Sequence, residues 1–264
     1  MAIDSQDRLY IVDKLARIQA FDANGNSVQQ EWRTPAWKNG KPTGMTVDAL
    51  PQGKPRLLVA DTHYYRVLSY TLDGKLMEQE TLGGTNGKGP GEFGWVTDAV
   101  RDSTGAMYVA QYGDNDRIQK FSPEGEYLLQ WGAHGDAPGQ FRRPQNLVID
   151  PQDRLWVCDA CNHRVQVFDT SGDLLFMWGK EGDAHGELYY PYDAVMDPAG
   201  DLYVVEYGNS RIQKFNQAGE SLGSWGSQGK AEGQLWNPWS AVLDSRGRLH
   251  VLDSNNHRVQ RVIV

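Results

Sequence analysis

The sequence predicts an all-β fold: a six-bladed β-propeller of four-stranded antiparallel blades, with the first and last blades incomplete at the chain ends. Three observations predict it. An arginine opens a short alternating segment six times, at Arg17, Arg66, Arg117, Arg164, Arg211 and Arg258, with spacings of 49, 51, 47, 47 and 47 residues. Apolar and polar residues alternate with period two around these arginines, and no helical period runs long enough to compete. The chain holds 29 Gly and 9 Trp in 264 residues, the composition of many short strands joined by tight turns.

Each unit reads as four strands in order. In the unit 142–188 the first covers 146–150 and is short and apolar. A turn of the form Asp-Pro-x-Gly/Asp follows, whose proline and glycine or aspartate suit a tight reversal. The second strand, 155–159, and the third, 164–168, alternate with period two. A second turn at 170–173 leads to a fourth strand at 174–178. A segment with Gly179, Gly182 and Gly186 then leads to the next unit, and it recurs as Gly84, Gly87 and Gly91, as Gly132, Gly135 and Gly139, and as Gly226, Gly229 and Gly233. One copy would resemble a phosphate cradle. Four copies at the repeat spacing, none followed by Lys-Ser/Thr, read instead as crossovers between blades that need positive φ.

Stacking such sheets buries faces that one sheet cannot bury alone. The units cover approximately 2–40, 41–94, 95–141, 142–188, 189–235 and 236–264, within a single domain spanning 1–264. The first opens at Ala2-Ile3-Asp4, in register with Val148-Ile149-Asp150, and the last stops after its third strand. The expectation is a piece of a longer protein, or a ring that closes imperfectly.

The segments Asn-Asn-His-Arg-Val-Gln-Arg-Val (255–262), Cys-Asn-His-Arg-Val-Gln-Val-Phe-Asp (161–169) and Gly-Asn-Ser-Arg-Ile-Gln-Lys-Phe (208–215) resemble the NHL repeat family. The resemblance covers nearly the whole chain, most closely in the last four units. It implies a six-bladed propeller, often closed by a strand from the other terminus. Relatives include the peptidyl-hydroxyglycine amidating lyase, whose zinc-binding histidines follow prolines at the start of inner strands. Here the residues after Pro144, Pro191 and Pro238 are Gln145, Tyr192 and Trp239, and Thr43 and Thr97 fill the matching positions in earlier units, so that triad is missing. The calcium-binding Glu, Asn and Asp of the six-bladed gluconolactonase family do not map onto this chain by motif.

Other candidate chemistry reduces to structure. An acid stands five residues before four of the arginines (Asp61, Asp159, Glu206, Asp253), Gln111 replaces it in the third unit, and Asp13 lies four before Arg17. A guanidinium presents donors in a fixed fork, so each pair is expected to tie a carboxylate to loop carbonyls. Cys158, Cys161 and His163 are spaced like a metal knuckle, but structural zinc takes four ligands and there is no second cysteine pair. A c-type haem would need histidine where Asn162 stands. His163 and His257 belong to the repeat motif, and His250 takes a packing position held by Trp156 and Tyr203 in sister units. No metal, cofactor or catalytic constellation is expected.

The units differ most at the start of each inner strand and in the turn between the second and third strands, which should share one end of the molecule. The candidate ligand-binding residues there are Trp95, Tyr112, Arg142, Arg143, Gln145, Tyr189, Tyr190, Tyr192, Tyr207, Trp236, Asn237 and Trp239. Aromatic and arginine residues are the usual anchors of interfaces, and variable loop positions on a rigid scaffold are where binding resides.

The expected function is a non-enzymatic binding scaffold for a peptide, a protein or a glycan, acting as a monomer. Two alternatives stand beside it: a metal-dependent lyase or hydrolase with a site in the axial channel, and single-stranded RNA binding on the same face. The net charge of −8, from 26 basic and 34 acidic residues, disfavours nucleic acid, and Arg142 with Arg143 forms the one basic cluster on that face. No apolar run is long enough to insert into a membrane. The N-terminus has neither the basic start nor the apolar stretch of a secretory signal, so an extracytoplasmic location would require a leader upstream of Met1.

Overall fold

Six antiparallel sheets, five of four strands and the last of three, make the chain an all-β six-bladed propeller. The structure is a computed structural model that describes residues 1–48, 53–113 and 115–263. Residues 49–52, Asp114 and the terminal Val264 lie outside the described residues. Helical structure among the described residues is confined to four three-residue 3₁₀ turns, so no helix is long and apolar enough to cross a membrane.

The sheets fall into two units, Met1–His134 and Gly135–Val264. The first holds three blades, whose inner strands are Ala2–Ile3, Gly44–Asp48 and Trp95–Arg101. The first blade keeps four strands, although its inner one is only two residues long. The second unit holds the blades that begin with Pro144–Ile149, Pro191–Met196 and Ser240–Leu243. In the fourth blade the outer three strands, Leu155–Asp159, Arg164–Phe168 and Leu174–Trp178, lie where the alternation places them. The inner strand starts two residues earlier than the apolar run implies, because an extra residue interrupts its register.

Within each unit, apolar residues on facing sheets interlock. Between the fourth and fifth blades Trp156, Val165 and Val167 meet Leu202, Val204 and Phe215, and the Trp178 ring lies 4.5 Å from that of Phe215. Between the first and second, Tyr10 and Ile18 meet Leu57, Val59 and Tyr70.

Two polar devices recur among the blades. One is the carboxylate that ends the inner strand. Asp150 accepts from the Gln152 and Arg154 N–H groups, from Arg154 Nε and from the buried Trp156 Nε1 at 2.9 Å. Tyr10 and Tyr108 give their hydroxyls to Asp4 and Asp102 in the same way, and His250 Nε2 lies 3.0 Å from Asp244. In these four blades the packing residue also carries a polar tip, whereas the second blade holds the buried Leu58 at that position.

The other device is the repeated arginine. Arg164 Nε donates to the buried Asp159, while its two Nη atoms donate to the carbonyls of Asp136, Ala137 and Gln140 in the glycine-rich segment before the blade. Arg211 grips Asp183, Ala184 and Glu187 in the same manner, and Arg258 grips Ala231 and Gln234. Gly179 shows why that segment needs glycine: at φ +103 a Cβ would lie 2.9 Å from Leu188 Cδ1. In the second blade the preceding segment, 34–43, lacks the glycine pattern. There Asp61 Oδ1 and Arg66 Nη2 are buried without a protein partner, and the Arg66 guanidinium lies 5.3 Å over the Tyr64 ring.

Two measurements check the first device. Tyr108→Phe, which removes only a donor to Asp102, is expected to cost about 1–2 kcal/mol in urea unfolding. Burial by itself would raise Asp244, but hydrogen bonds from His250, from Arg248 and from the Arg246 N–H outweigh it and hold the carboxyl well below the usual range. Its contribution is therefore complete above the unfolded value of about 4 and is lost as pH falls below it. Asp244→Asn should flatten the dependence of the urea midpoint on pH in that acid range.

Candidate functional site

The lead-in to each inner strand and the turn between the second and third strands meet through their backbones. In the second unit Ala160 N donates to Arg143 O at 3.1 Å, Tyr207 N to Tyr190 O at 3.0 Å, and Asn255 N to Trp236 O at 3.1 Å. These bonds put the variable positions of each of these three blades at one end of its sheet, as strand alternation predicts.

Two local features aim the side chains. Arg143, Tyr190 and Asn237, each directly before a proline, have φ of 63°, 51° and 49°. Positive φ is uncommon for residues other than glycine and costs about 1 kcal/mol or more. After the proline, the register slips. Pro144 opposes Asp159 and Asn146 opposes Cys158, so Gln145 is an extra residue, and Tyr192 is the extra residue between Pro191 and Asp193. Such bulges bend the strand and redirect a side chain. Trp239 holds the matching place in the sixth blade, its N–H donating to Leu252 O at 2.9 Å.

The result is a nested aromatic cluster. The rings of Tyr192 and Tyr207 stack at 4.5 Å, and Trp239 stands edge-on to both at 5.0 and 6.0 Å. The Arg143 guanidinium covers Tyr192 at 4.9 Å, and its Nε donates to Gln145 Oε1 at 2.8 Å. Tyr192 and Gln145 are only 8% and 3% exposed, so they form the floor of the cluster and Arg143, Tyr207 and Trp239 its surface. Asn237 braces the rim: its Nδ2 donates to Tyr207 O at 3.0 Å and its Oδ1 accepts from Asn255 Nδ2 at 2.8 Å.

A second group adjoins in sequence. His163 stacks on Tyr189 at 5.1 Å and lies 4.7 Å from Tyr190, whose N–H donates to His163 Nδ1 at 3.1 Å. That bond requires an unprotonated Nδ1, so the neutral ring carries its proton on Nε2. Burial lowers the His163 pKa, and the nearby Glu181 opposes the effect. Arg142 and Trp236 lie outside the ring contacts of both groups. Arg142 is exposed and pairs with Asp136 at 3.5 Å, while Trp236 receives the Lys230 ammonium over its ring at 4.9 Å.

Ten of the twelve sequence-derived positions thus lie in the second unit. Trp95 and Tyr112 lie in the first, with rings 5.1 Å apart and His63 6.5 Å from Trp95. Sequence reasoning missed the brace from Asn255. It also missed the His134–Asp116 pair at 2.5 Å, which joins a glycine-rich segment to the residue before Arg117. A signal was available for that pair, because the same two repeat positions hold Glu181 and His163 one unit later, with acid and base exchanged. Cys158 is buried, and among the described residues no three His, Cys, Asp or Glu side chains gather to hold a metal ion.

The NHL repeat family matches residues 141–168, 188–215 and 235–262. Over 69 residues, 24% of this chain and 7% of the relative, the chain is 42% identical to peptidylglycine alpha-amidating monooxygenase of Rattus norvegicus. Over 179 residues, 61% of this chain, it is 30% identical to NHL repeat-containing protein 3 of Mus musculus, of which the match spans 49%. The chain therefore spans less than a tenth of the first relative and about half of the second. Among solved structures, virginiamycin B lyase from Staphylococcus aureus shares the fold, with a TM-score of 0.67 at 17% identity over 99% of this chain and 78% of that one.

The His163 contact is checked by titration. Its imidazole is expected to titrate below the ordinary value of about 6.5. The stability it contributes is full above that value and is lost as pH falls through the lower, folded one. Imidazole ¹⁵N shifts should show the Nε2–H tautomer at neutral pH, and acidification should speed exchange of the Tyr190 amide.

Proposed function

We propose that this chain, an NHL-repeat β-propeller, is a non-enzymatic recognition module that binds a peptide segment of a partner protein on the aromatic cluster of its second unit. One observation carries the reading: Tyr207, Trp239 and Arg143 converge at repeat positions where sister blades hold unrelated residues. The position of Tyr207 holds Ala160 and Ser254, that of Trp239 holds Gln145 and Thr97 besides Tyr192, and that of Arg143 holds Tyr190 and Asn237. The scaffold does not require these side chains, whereas recognition uses such rings as rigid anchors of low conformational cost.

Protein recognition is also a usual task of NHL propellers, consistent with the half-length match to an NHL repeat-containing protein. A lyase reading draws on the named fold neighbour, but likeness at 17% identity speaks to fold alone. The bulge positions that would offer histidines to a metal hold Gln145, Tyr192 and Trp239 instead. A net charge of −8 argues against a phosphate-tracking surface for RNA.

The test uses substitutions that the repeat itself supplies. Peptides are selected from a displayed random library on the intact chain. Tyr207→Ala and Trp239→Gln, which copy the fourth blade, should weaken the selected peptides at least tenfold, about 1.4 kcal/mol each. Leu175→Ser, on an exposed part of an outer strand, should leave them unchanged. Failure to enrich any peptide, or peptides that bind both cluster variants as tightly as the parent, would overturn the proposal.

A further inference from the structure

The arginine clasp of the fourth blade contains a sulfur where that of the third contains an oxygen. Arg117 Nη1 donates to the Lys88 carbonyl at 2.7 Å and to Gln130 Oε1 at 2.6 Å. Arg164 Nη1 donates to the Asp136 carbonyl at 2.7 Å and faces Met177 Sδ at 3.7 Å. Gln130 and Met177 hold the same register, opposite Gln119 and Gln166 of their third strands. A thioether is a weak acceptor, so the fourth blade presents a charged donor to a poor partner. Met177 is also the one exposed methionine of the six, at 41%. Met1, Met45 and Met107 are buried, and Met77 and Met196 are half-buried.

We propose that Met177 is a modification site, oxidised to the sulfoxide by hydrogen peroxide or an organic hydroperoxide, and that the new oxygen takes the role that Gln130 Oε1 fills in the third blade. The sulfur lone pair attacks one peroxide oxygen, and the S–O bond forms as the O–O bond breaks. With hydrogen peroxide, the proton on the transferred oxygen passes to the departing hydroxide, which leaves as water. Sulfur is oxidised by two electrons and the peroxide is reduced. Sulfoxidation commonly disrupts a fold because it turns an apolar side chain polar. Here the side chain already faces solvent, and a guanidinium already points at the sulfur. The product therefore gains a charge-assisted hydrogen bond at a side chain with less covered apolar surface to lose than any other methionine of the chain. The inference is independent of the ligand assignment above.

Timed exposure of the intact chain to hydrogen peroxide, followed by peptide mass mapping, tests it. Because oxidation follows exposure, Met177 sulfoxide should form at least about fivefold faster than sulfoxide at any other methionine. Protein oxidised only at Met177 should melt at or above the temperature of the reduced protein. Met177→Gln, which copies the third blade, should melt above Met177→Leu. Oxidation of Met77 at an equal or faster rate would overturn the proposal. So would melting of both the oxidised protein and Met177→Gln below Met177→Leu.

Discussion

The fold depends on how a blade holds the segment that leads into it. One guanidinium per blade does this in the last three, bonding at once to a buried carboxylate and to carbonyls 24–28 residues earlier. Each half answers a separate need. The crossover loop has carbonyls that no strand satisfies, and a buried carboxylate without a counter-charge is costly. Removing one partner of such a pair costs about 3–5 kcal/mol, a large share of a domain's stability. The third blade is instructive because Gln111 replaces the acid. Arg117 there keeps the carbonyls, adds Gln130, and has its pKa lowered by burial.

The clasp also explains why the variable residues are placed so reproducibly. Asp159, Glu206 and Asp253 also accept from the N–H of residues 142, 189 and 236, at the threshold of each inner strand. The chain then passes a residue of positive φ, a proline and a bulge or its equivalent before the regular ladder begins. The backbone path is nearly identical from blade to blade, so differences in side chain translate directly into differences in surface. Where Tyr207 stacks on Tyr192, the same point of the path in the fourth blade has only Ala160.

Much of this was legible in the sequence. The recurrence of one arginine set the number of sheets, and period-two alternation located the second, third and fourth strands of the fourth blade to the residue. What escaped was any feature that breaks a period. The inner strands start earlier than their apolar runs because Gln145 and Tyr192 are extra residues, and alternation is blind to an insertion of one. The twelve candidate positions were chosen by type and place in the repeat, which could not tell floor from surface: Tyr192 and Gln145 are buried beneath Arg143. Asn237 had the polarity of a ligand contact, yet its amide is committed to Tyr207 and Asn255, and a partner 18 residues away has no sequence signature.

The last sheet differs from the other five in a way that bears on the molecule in solution. Its third strand, Arg258–Ile263, has a ladder on one side, and no described strand pairs with the other. Its outer row of N–H and C=O groups has the form that accepts a fourth strand from any extended segment, of this protein or of another. Of the two arginines among its six residues, Arg258 is already held by Asp253 and by the carbonyls of Ala231 and Gln234, so the clasp of this blade does not depend on that outer row.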